Sequence, residues 1–272
     1  MVIPFLTARR RKKMLERPFS ESRERVLADN VAVYKKLPEA ARAKLRDFTR
    51  VFVAEKNWEA CGGLKLTDDM KLVIGAQAAL LLLGLGLDPL RDDLYPNLQT
   101  VLVYPAGFYS TQSRQVGSVG GVGIVSEGFT NLGEAWHQGP VILSWTDAQR
   151  GGIDGSDGHN VVLHEFAHKL DMLDGAVNGT PLLESQEQVE AWKNVMTREY
   201  IQLSRSAALG VPTVLSPYGA TNPGEFFAVA TEAFFERPAE LAAQHTELYD
   251  TLRGYYRQDP ASWVNIAPQR LV

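Results

Sequence analysis

The sequence predicts an α+β fold with a mostly helical N-terminal part and a small β-sheet beside one central helix. Three observations support this fold class. Apolar residues recur at helical spacing between Ser20 and Leu87. Two short apolar runs, at Leu98–Tyr104 and Pro140–Trp145, have the length and composition of strands. One apolar segment, Asn160–Gly175, is predicted to be a helix that carries two histidines and a glutamate.

The N-terminal helices have recognisable ends. Ser20 or Ser22 can cap a first helix that extends to about Lys36, and Pro38 opens a second helix over Glu39–Glu55. The side chain of Thr67 can cap a third helix that continues through the apolar run to Leu83.

The second half of the chain alternates strands, helices and loops. Residues Ala106–Gly133, rich in glycine, serine and glutamine, are predicted to form a long loop or loose hairpin, either a lid over the site or a surface loop. Helices are expected over Glu184–Arg205 and Gly224–Glu236. Because no linker divides the chain, we expect one unit of residues 1–272, helical from about 20 to 95 and catalytic from about 96 to 272.

Composition narrows the function classes. The net charge of −4 argues against direct binding to nucleic acid, and the basic cluster Arg9–Lys13 is expected to be a solvated segment. Cys61 is the only cysteine, which excludes an intrachain disulfide and a thiolate zinc cluster. The apolar run Ala76–Leu87 is too short to span a membrane, and the first residues do not follow the pattern of a secretory signal. These features predict a cytoplasmic protein without a membrane partner.

The segment Asn160–Gly175 contains the pattern HExxH, formed by His164, Glu165 and His168. Residues four apart lie on one face of a helix, so both imidazoles can reach one ion. The carboxylate of Glu165 can then take a proton from a water that zinc has acidified, as general base. Ser156 or Asp157 is expected to cap this helix, and Gly175 to end it.

A catalytic zinc ion needs a third protein ligand, and the residues alone leave the choice open. Asp174 stands where HExxHxxGxxH/D peptidases place theirs, although Asp171 replaces the glycine of that pattern. Asp171 is a weaker candidate ligand, and either aspartate could instead hold a histidine ring. The distal alternative is Glu225, on a phenylalanine-rich helix that Asn222 can cap and that also carries Glu232.

The segments VVLHEFAHKLDMLDG and SPYGATNPGEFFAVATEAFF, with a stretch at Arg50–Gly84, resemble the zinc-dependent peptidases typified by Mlc titration factor A. The resemblance covers nearly the whole chain, and its catalytic segment is also similar to that of anthrax lethal factor. It implies a zincin-like fold of gluzincin type, with His164, His168 and Glu225 as Zn²⁺ ligands and Glu165 as base. It further implies that Tyr218, seven residues before Glu225, donates its hydroxyl to the developing oxyanion.

The same resemblance implies what the protein acts on. The expected activity is that of an aminopeptidase-like zinc peptidase on peptide substrates. A regulatory role is also implied, through binding of a transcription repressor of the Mlc type. The alternative is a non-catalytic protein that sequesters such a repressor, and the intact base Glu165 argues against it because a structural zinc site has no use for a base.

Overall fold

The computed structural model describes residues 4–106 and 139–263, with side chains from residue 7 onward. Within these ranges the chain is mostly helical, with one small sheet. The helices are α1 (Pro4–Leu15), α2 (Glu21–Asn30), α3 (Glu39–Glu55), α4 (Asp68–Leu80), α5 (Trp145–Ile153), α6 (Val161–Asp171), α7 (Gln186–Ala208), α8 (Pro223–Glu236), α9 (Pro238–Gln244), α10 (Thr246–Tyr256) and α11 (Pro260–Trp263). The strands are β1 (Asn57–Ala60), β2 (Thr100–Tyr104) and β3 (Val141–Ser144).

The three strands form a parallel sheet in the order β1-β2-β3. Both predicted strands are confirmed, with Val101 of β2 in register with Val141 of β3. Strand β1 was not predicted, because its four residues, NWEA, are mostly exposed and do not form an apolar run. The predicted loop at Ala106–Gly133 lies almost wholly outside the described residues.

The predicted N-terminal helices are confirmed in part. Helix α3 has the predicted bounds, and Thr67 caps α4 by accepting a hydrogen bond from the backbone N–H of Met70 at 3.3 Å. The first predicted helix is too long, because the chain is extended at Val31 and then continues as a 3-10 turn over Ala32–Lys36. Helix α2 begins after Ser20, one of the two predicted caps.

The basic cluster Arg9–Lys13 lies in helix α1, and its description as a solvated segment is wrong for Arg11. That side chain is buried and pairs with Glu55 of α3, with Nη2 at 2.6 Å and Nε at 2.9 Å from the two carboxylate oxygens. Its Nη1 also donates to the carbonyl oxygen of Asp92 at 2.7 Å. The two-pronged pairing docks α1 onto the body of the protein.

Helix α8 lies at the centre of the fold, and every residue from Gly224 to Glu236 is buried. Side chains from several helices surround it, including Trp192 of α7 against Phe227 and Tyr256 of α10 against Phe234. Helix α8 packs along α6. Three glutamates of α8 are buried among these aromatic residues, and a buried carboxylate needs a polar or cationic partner. Their partners are on α6 and in the loop that precedes it.

Among the described residues, no helix has both the length and the apolar character needed to cross a membrane.

Candidate metal centre

Two turns of α6 and the first turn of α8 bring three ligand atoms together. The Nε2 atom of His164 lies 2.9 Å from Oε2 of Glu225 and 3.2 Å from Nε2 of His168. The third separation, between Nε2 of His168 and Oε2 of Glu225, is 3.3 Å. Asn222 fixes the start of α8 by accepting the N–H of Glu225 at 3.0 Å, and Pro223 occupies its first turn.

The geometry of these three atoms fits a tetrahedral cation. Zinc bound at about 2.0–2.1 Å separates neighbouring ligand atoms by about 3.3 Å, close to the three observed separations. Two imidazole nitrogens and one carboxylate oxygen are also a donor set that zinc accepts. Each of the three atoms has a lone pair that it can direct at one cation lying between them. The donor set therefore fits a metal ion.

The second ring nitrogen of His164 is held from the opposite side. Its Nδ1 lies 2.7 Å from Oε1 of Glu232, while the other oxygen of Glu232 accepts the backbone N–H of Asn160 at 2.5 Å. With Nδ1–H donated to Glu232, Nε2 keeps its lone pair for a metal. Burial lowers the pKa of His164, but the carboxylates of Glu232 and Glu225 outweigh burial and raise it to about 10. The surroundings of this ring therefore favour positive charge.

A buried polar network behind Glu232 was not anticipated from the sequence. Glu236 accepts hydrogen bonds from the side chain of Asn160 and from the backbone N–H of Gly158, both at 3.0 Å. Asn160 also donates to Gln77 of α4 at 2.9 Å. The one available signal was Gln77 itself, a polar residue within the apolar run of α4.

The cap of α6 is Asn160, and the predicted caps Ser156 and Asp157 are wrong. Its Oδ1 accepts the N–H groups of Val162 and Leu163 at 3.1 and 3.0 Å. Because the same side chain also bonds to Gln77 and Glu236, one residue connects α4, α6 and α8. This connection fixes the start of the helix that carries the two histidines.

We expect Asn160→Ala to lower the free energy of unfolding by about 2–4 kcal/mol. The loss combines a helix cap with the desolvated partners left behind on Gln77 and Glu236. Urea denaturation measures it, with Ser185→Ala as the control, because Ser185 is an exposed cap on α7 whose hydroxyl accepts the backbone N–H of Gln188. The control is expected to cost about 1 kcal/mol. Equal losses in the two variants would show that the network adds nothing beyond the cap.

Glu236 gives the fold a predictable pH dependence. Burial and the charges of Glu232 and Asp157 raise its pKa to about 9, against the lowering effect of the hydrogen bonds from Asn160 and Gly158. The folded state therefore keeps a proton that the unfolded chain releases above its ordinary pKa near 4.5. The stability that this proton contributes is complete at acidic pH and is lost as the pH rises toward 9.

We expect the difference in Tm between Glu236→Gln and the wild type to move in favour of the variant from pH 5 to pH 9. Glutamine has no proton to lose, although it costs one of the two accepted hydrogen bonds at every pH. Thermal unfolding across this range measures the trend. Glu187→Gln, an exposed position on α7, is the control and should show no such trend. A pH-independent difference for Glu236→Gln would mean that the buried carboxyl does not hold the proton.

The other predicted site residues lie next to this centre. Glu165 is half-buried on α6 between the two histidines, and its charge contributes to the raised pKa of His164. Tyr218 lies in a 3-10 turn, Pro217–Ala220, that packs against α8. Its ring centroid is 5.9 Å from that of His164. The structure thus brings Tyr218, Glu165 and the three ligand candidates to one place.

Asp171 and Asp174, the other candidates for the third ligand, make contacts outside the group of three ligand atoms. Asp174 is exposed and accepts the backbone N–H of Ala176 at 2.9 Å. The predicted stop Gly175 ends the 3-10 turn Met172–Asp174, whereas α6 itself already ends at Asp171. Asp171 is buried, and its Oδ2 accepts the N–H of Gly179 at 2.9 Å. Gly179 has φ +72°, and a Cβ there would lie 2.3 Å from the carbonyl oxygen of Pro223. Asp171 therefore holds the loop at Gly179 close against the start of α8.

Comparison with known proteins shows the family to which this chain belongs. Residues 5–257 match the family described as glucose-regulated metallo-peptidase M90. The chain belongs to this family. Membership of this family makes the chain a metallopeptidase, which implies a metal cofactor. The three converging ligand atoms are its candidate metal site.

Relatives across bacteria share most of their length with this M90 chain. A Synechocystis protein of uncharacterised function is 42% identical over 252 residues, covering 92% of this chain and 89% of the relative. Mlc titration factor A of Pectobacterium atrosepticum is 30% identical, covering 93% and 96%. The protein of that name from Klebsiella pneumoniae is 32% identical, covering 85% and 84%. The resemblance stated from the sequence is confirmed.

Proposed function

We propose that the chain is a zinc-dependent peptidase of zincin-like fold and gluzincin type. His164, His168 and Glu225 hold the zinc ion in this proposal. The observation that carries it is the convergence of their three ligand atoms at 2.9–3.3 Å from one another, although Glu225 lies 57 residues after His168. Residues 1–272 act as one unit, because helix α4 of the N-terminal part bonds to the cap of the histidine helix.

Each neighbouring side chain has a role in peptide hydrolysis. Bound zinc supplies Lewis-acid chemistry, which polarises a carbonyl and makes water more acidic. The Glu165 carboxylate accepts a proton from the attacking water and later delivers it to the leaving amine. The Tyr218 hydroxyl donates a hydrogen bond to the oxygen on which negative charge develops. Glu232 keeps the His164 ring in the orientation and tautomer that ligation requires.

Strand β3 lies beside the site, where a peptide substrate could pair with it. Among the described residues, β3 is bonded to β2 on one side only and also contacts α6. An extended peptide can add to such an edge through main-chain hydrogen bonds. We therefore propose that peptide substrates bind along β3, with the scissile bond directed toward His164 and Glu165.

The proposed activity is aminopeptidase-like. The test is hydrolysis of a chromogenic aminoacyl anilide by the purified full chain, before and after removal of metal by a chelator. We expect activity to disappear with the metal and to return with stoichiometric zinc. An N-acetylated form of the same substrate should be hydrolysed poorly. Preference for the blocked substrate would exclude the aminopeptidase class while leaving the metallopeptidase in place.

The second part of the proposal is a protein partner. Relatives of this chain carry the name Mlc titration factor A. We propose that this chain also binds a transcription repressor of that type, which it would meet in the cytoplasm. The alternative function is sequestration of the repressor without catalysis. Both are tested by adding purified repressor to wild type and to Glu165→Gln, with binding and hydrolysis measured separately; binding without any peptidase activity in the wild type favours sequestration.

A further inference from the structure

A cavity separate from the candidate metal centre lies on the N-terminal part of the fold. It has a volume of about 360 Å³ and is enclosed by the α1–α2 connection, α3 and α4. Three arginines line it, Arg17, Arg23 and Arg50, together with an apolar wall that includes Met14, Val53 and Leu72. None of these residues belongs to the candidate metal centre.

Arg50 is held rigidly at this cavity. Its side chain is buried, and it donates to the carbonyl oxygen of Leu15 at 3.3 Å and to that of Met14. These are the last residues of α1, so Arg50 caps the carboxyl end of that helix. A guanidinium has five N–H donors, and the two carbonyls leave others available to a ligand.

The three arginines that line the cavity lack a direct carboxylate partner among the described residues. Asp68, which also lines the cavity, pairs with Lys71 at 3.3 Å instead. Burial is the main influence and lowers the pKa of Arg50. The charge of Asp47 raises this pKa, and the charges of Arg23 and Arg17 lower it. The charges of Arg23 and Arg17 therefore act unfavourably on the Arg50 guanidinium, and an anion between them would relieve that repulsion.

We propose that this cavity binds a small phosphomonoester. Arginine presents parallel N–H donors that match phosphate oxygens, which favours phosphate over a simple halide. The volume exceeds that of a phosphate group alone and lies in the range of small-molecule sites. The apolar wall can contact the organic group that the phosphate carries. The site is independent of the proposed peptidase function.

Calorimetric titration of phenyl phosphate into the zinc-loaded full chain at low ionic strength tests the proposal. We expect saturable binding to one site per chain, and weaker binding of inorganic phosphate. Arg17→Gln and Arg23→Gln should each raise the Kd by about tenfold. Both residues are exposed and cap nothing, so these variants should fold normally. Arg25→Gln is the matched control, since it removes the same charge from α2 at a position that does not line the cavity.

Three results would overturn the proposal. Equal weakening by Arg25→Gln would reduce the effect to general electrostatic attraction. Binding that persists in both Arg17→Gln and Arg23→Gln would belong to another site, such as the metal centre. Cosedimentation with phosphatidylcholine vesicles containing phosphatidic acid, without saturable uptake of phenyl phosphate, would assign the arginines to a lipid headgroup.

Discussion

Replacement of Glu165 by glutamine is expected to lower kcat for peptide hydrolysis by a factor of about 10²–10⁴. Glutamine has nearly the same shape, yet its amide cannot accept the proton that the attacking water must lose. The loss should appear mainly in kcat, because the ground-state contacts to the substrate are kept. Steady-state kinetics with a chromogenic substrate measure it.

The control for this variant is its metal content and its stability. Glu165 makes no ligand contact in the group formed by His164, His168 and Glu225, so Glu165→Gln should keep the metal of the wild type. Its Tm should change little, since the side chain is only half-buried. Full activity in this variant would refute the assignment of Glu165 as base.

Removal of the third ligand is expected to have the largest effect on metal binding. Glu225→Ala leaves two imidazoles without the carboxylate that completes the donor set, and we expect its zinc affinity to fall by more than 100-fold. Glu232→Gln should lose about 10–100-fold, because it disturbs the orientation of His164 without removing a ligand. Competition with a chromophoric chelator measures the zinc affinities of the two variants and of the wild type.

Asp174→Ala is the matched control for Glu225→Ala. Both changes remove one carboxylate that lies near the histidine helix, but Asp174 is exposed and bonds to the backbone of Ala176. We expect the Asp174 variant to bind zinc as the wild type does. Loss of zinc in Asp174→Ala with retention in Glu225→Ala would reverse the ligand assignment in favour of the local HExxHxxGxxH/D pattern.

Structural features that depend on residues close together in the sequence could be predicted. The spacing of His164, Glu165 and His168 within one helical turn indicates a metal site by itself, and the bounds of α3 follow from Pro38 and the apolar periodicity. The third ligand was different. Residue chemistry alone left Glu225 and Asp174 as alternatives, and only the resemblance to a family favoured Glu225. The spacing of residues along the chain does not show that α8 packs against α6.

The unpredicted features depend on contacts between distant segments. Arg11 and Glu55 are 44 residues apart, so nothing near the basic cluster indicated that one of its arginines is buried. Glu236 and Asn160 are 76 residues apart, so local spacing gave no sign that the cap of α6 also bonds to a buried carboxyl. Strand β1 is short and polar, and it forms only because β2 supplies a partner.

The most direct test of the metal centre is anomalous diffraction from crystals of the zinc-loaded protein, recorded above and below the zinc absorption edge. We predict one anomalous peak per chain, at about 2.0–2.2 Å from Nε2 of His164, Nε2 of His168 and a carboxylate oxygen of Glu225. A peak bound by Asp171 or Asp174 in place of Glu225, or no peak between the two histidines, would contradict the account.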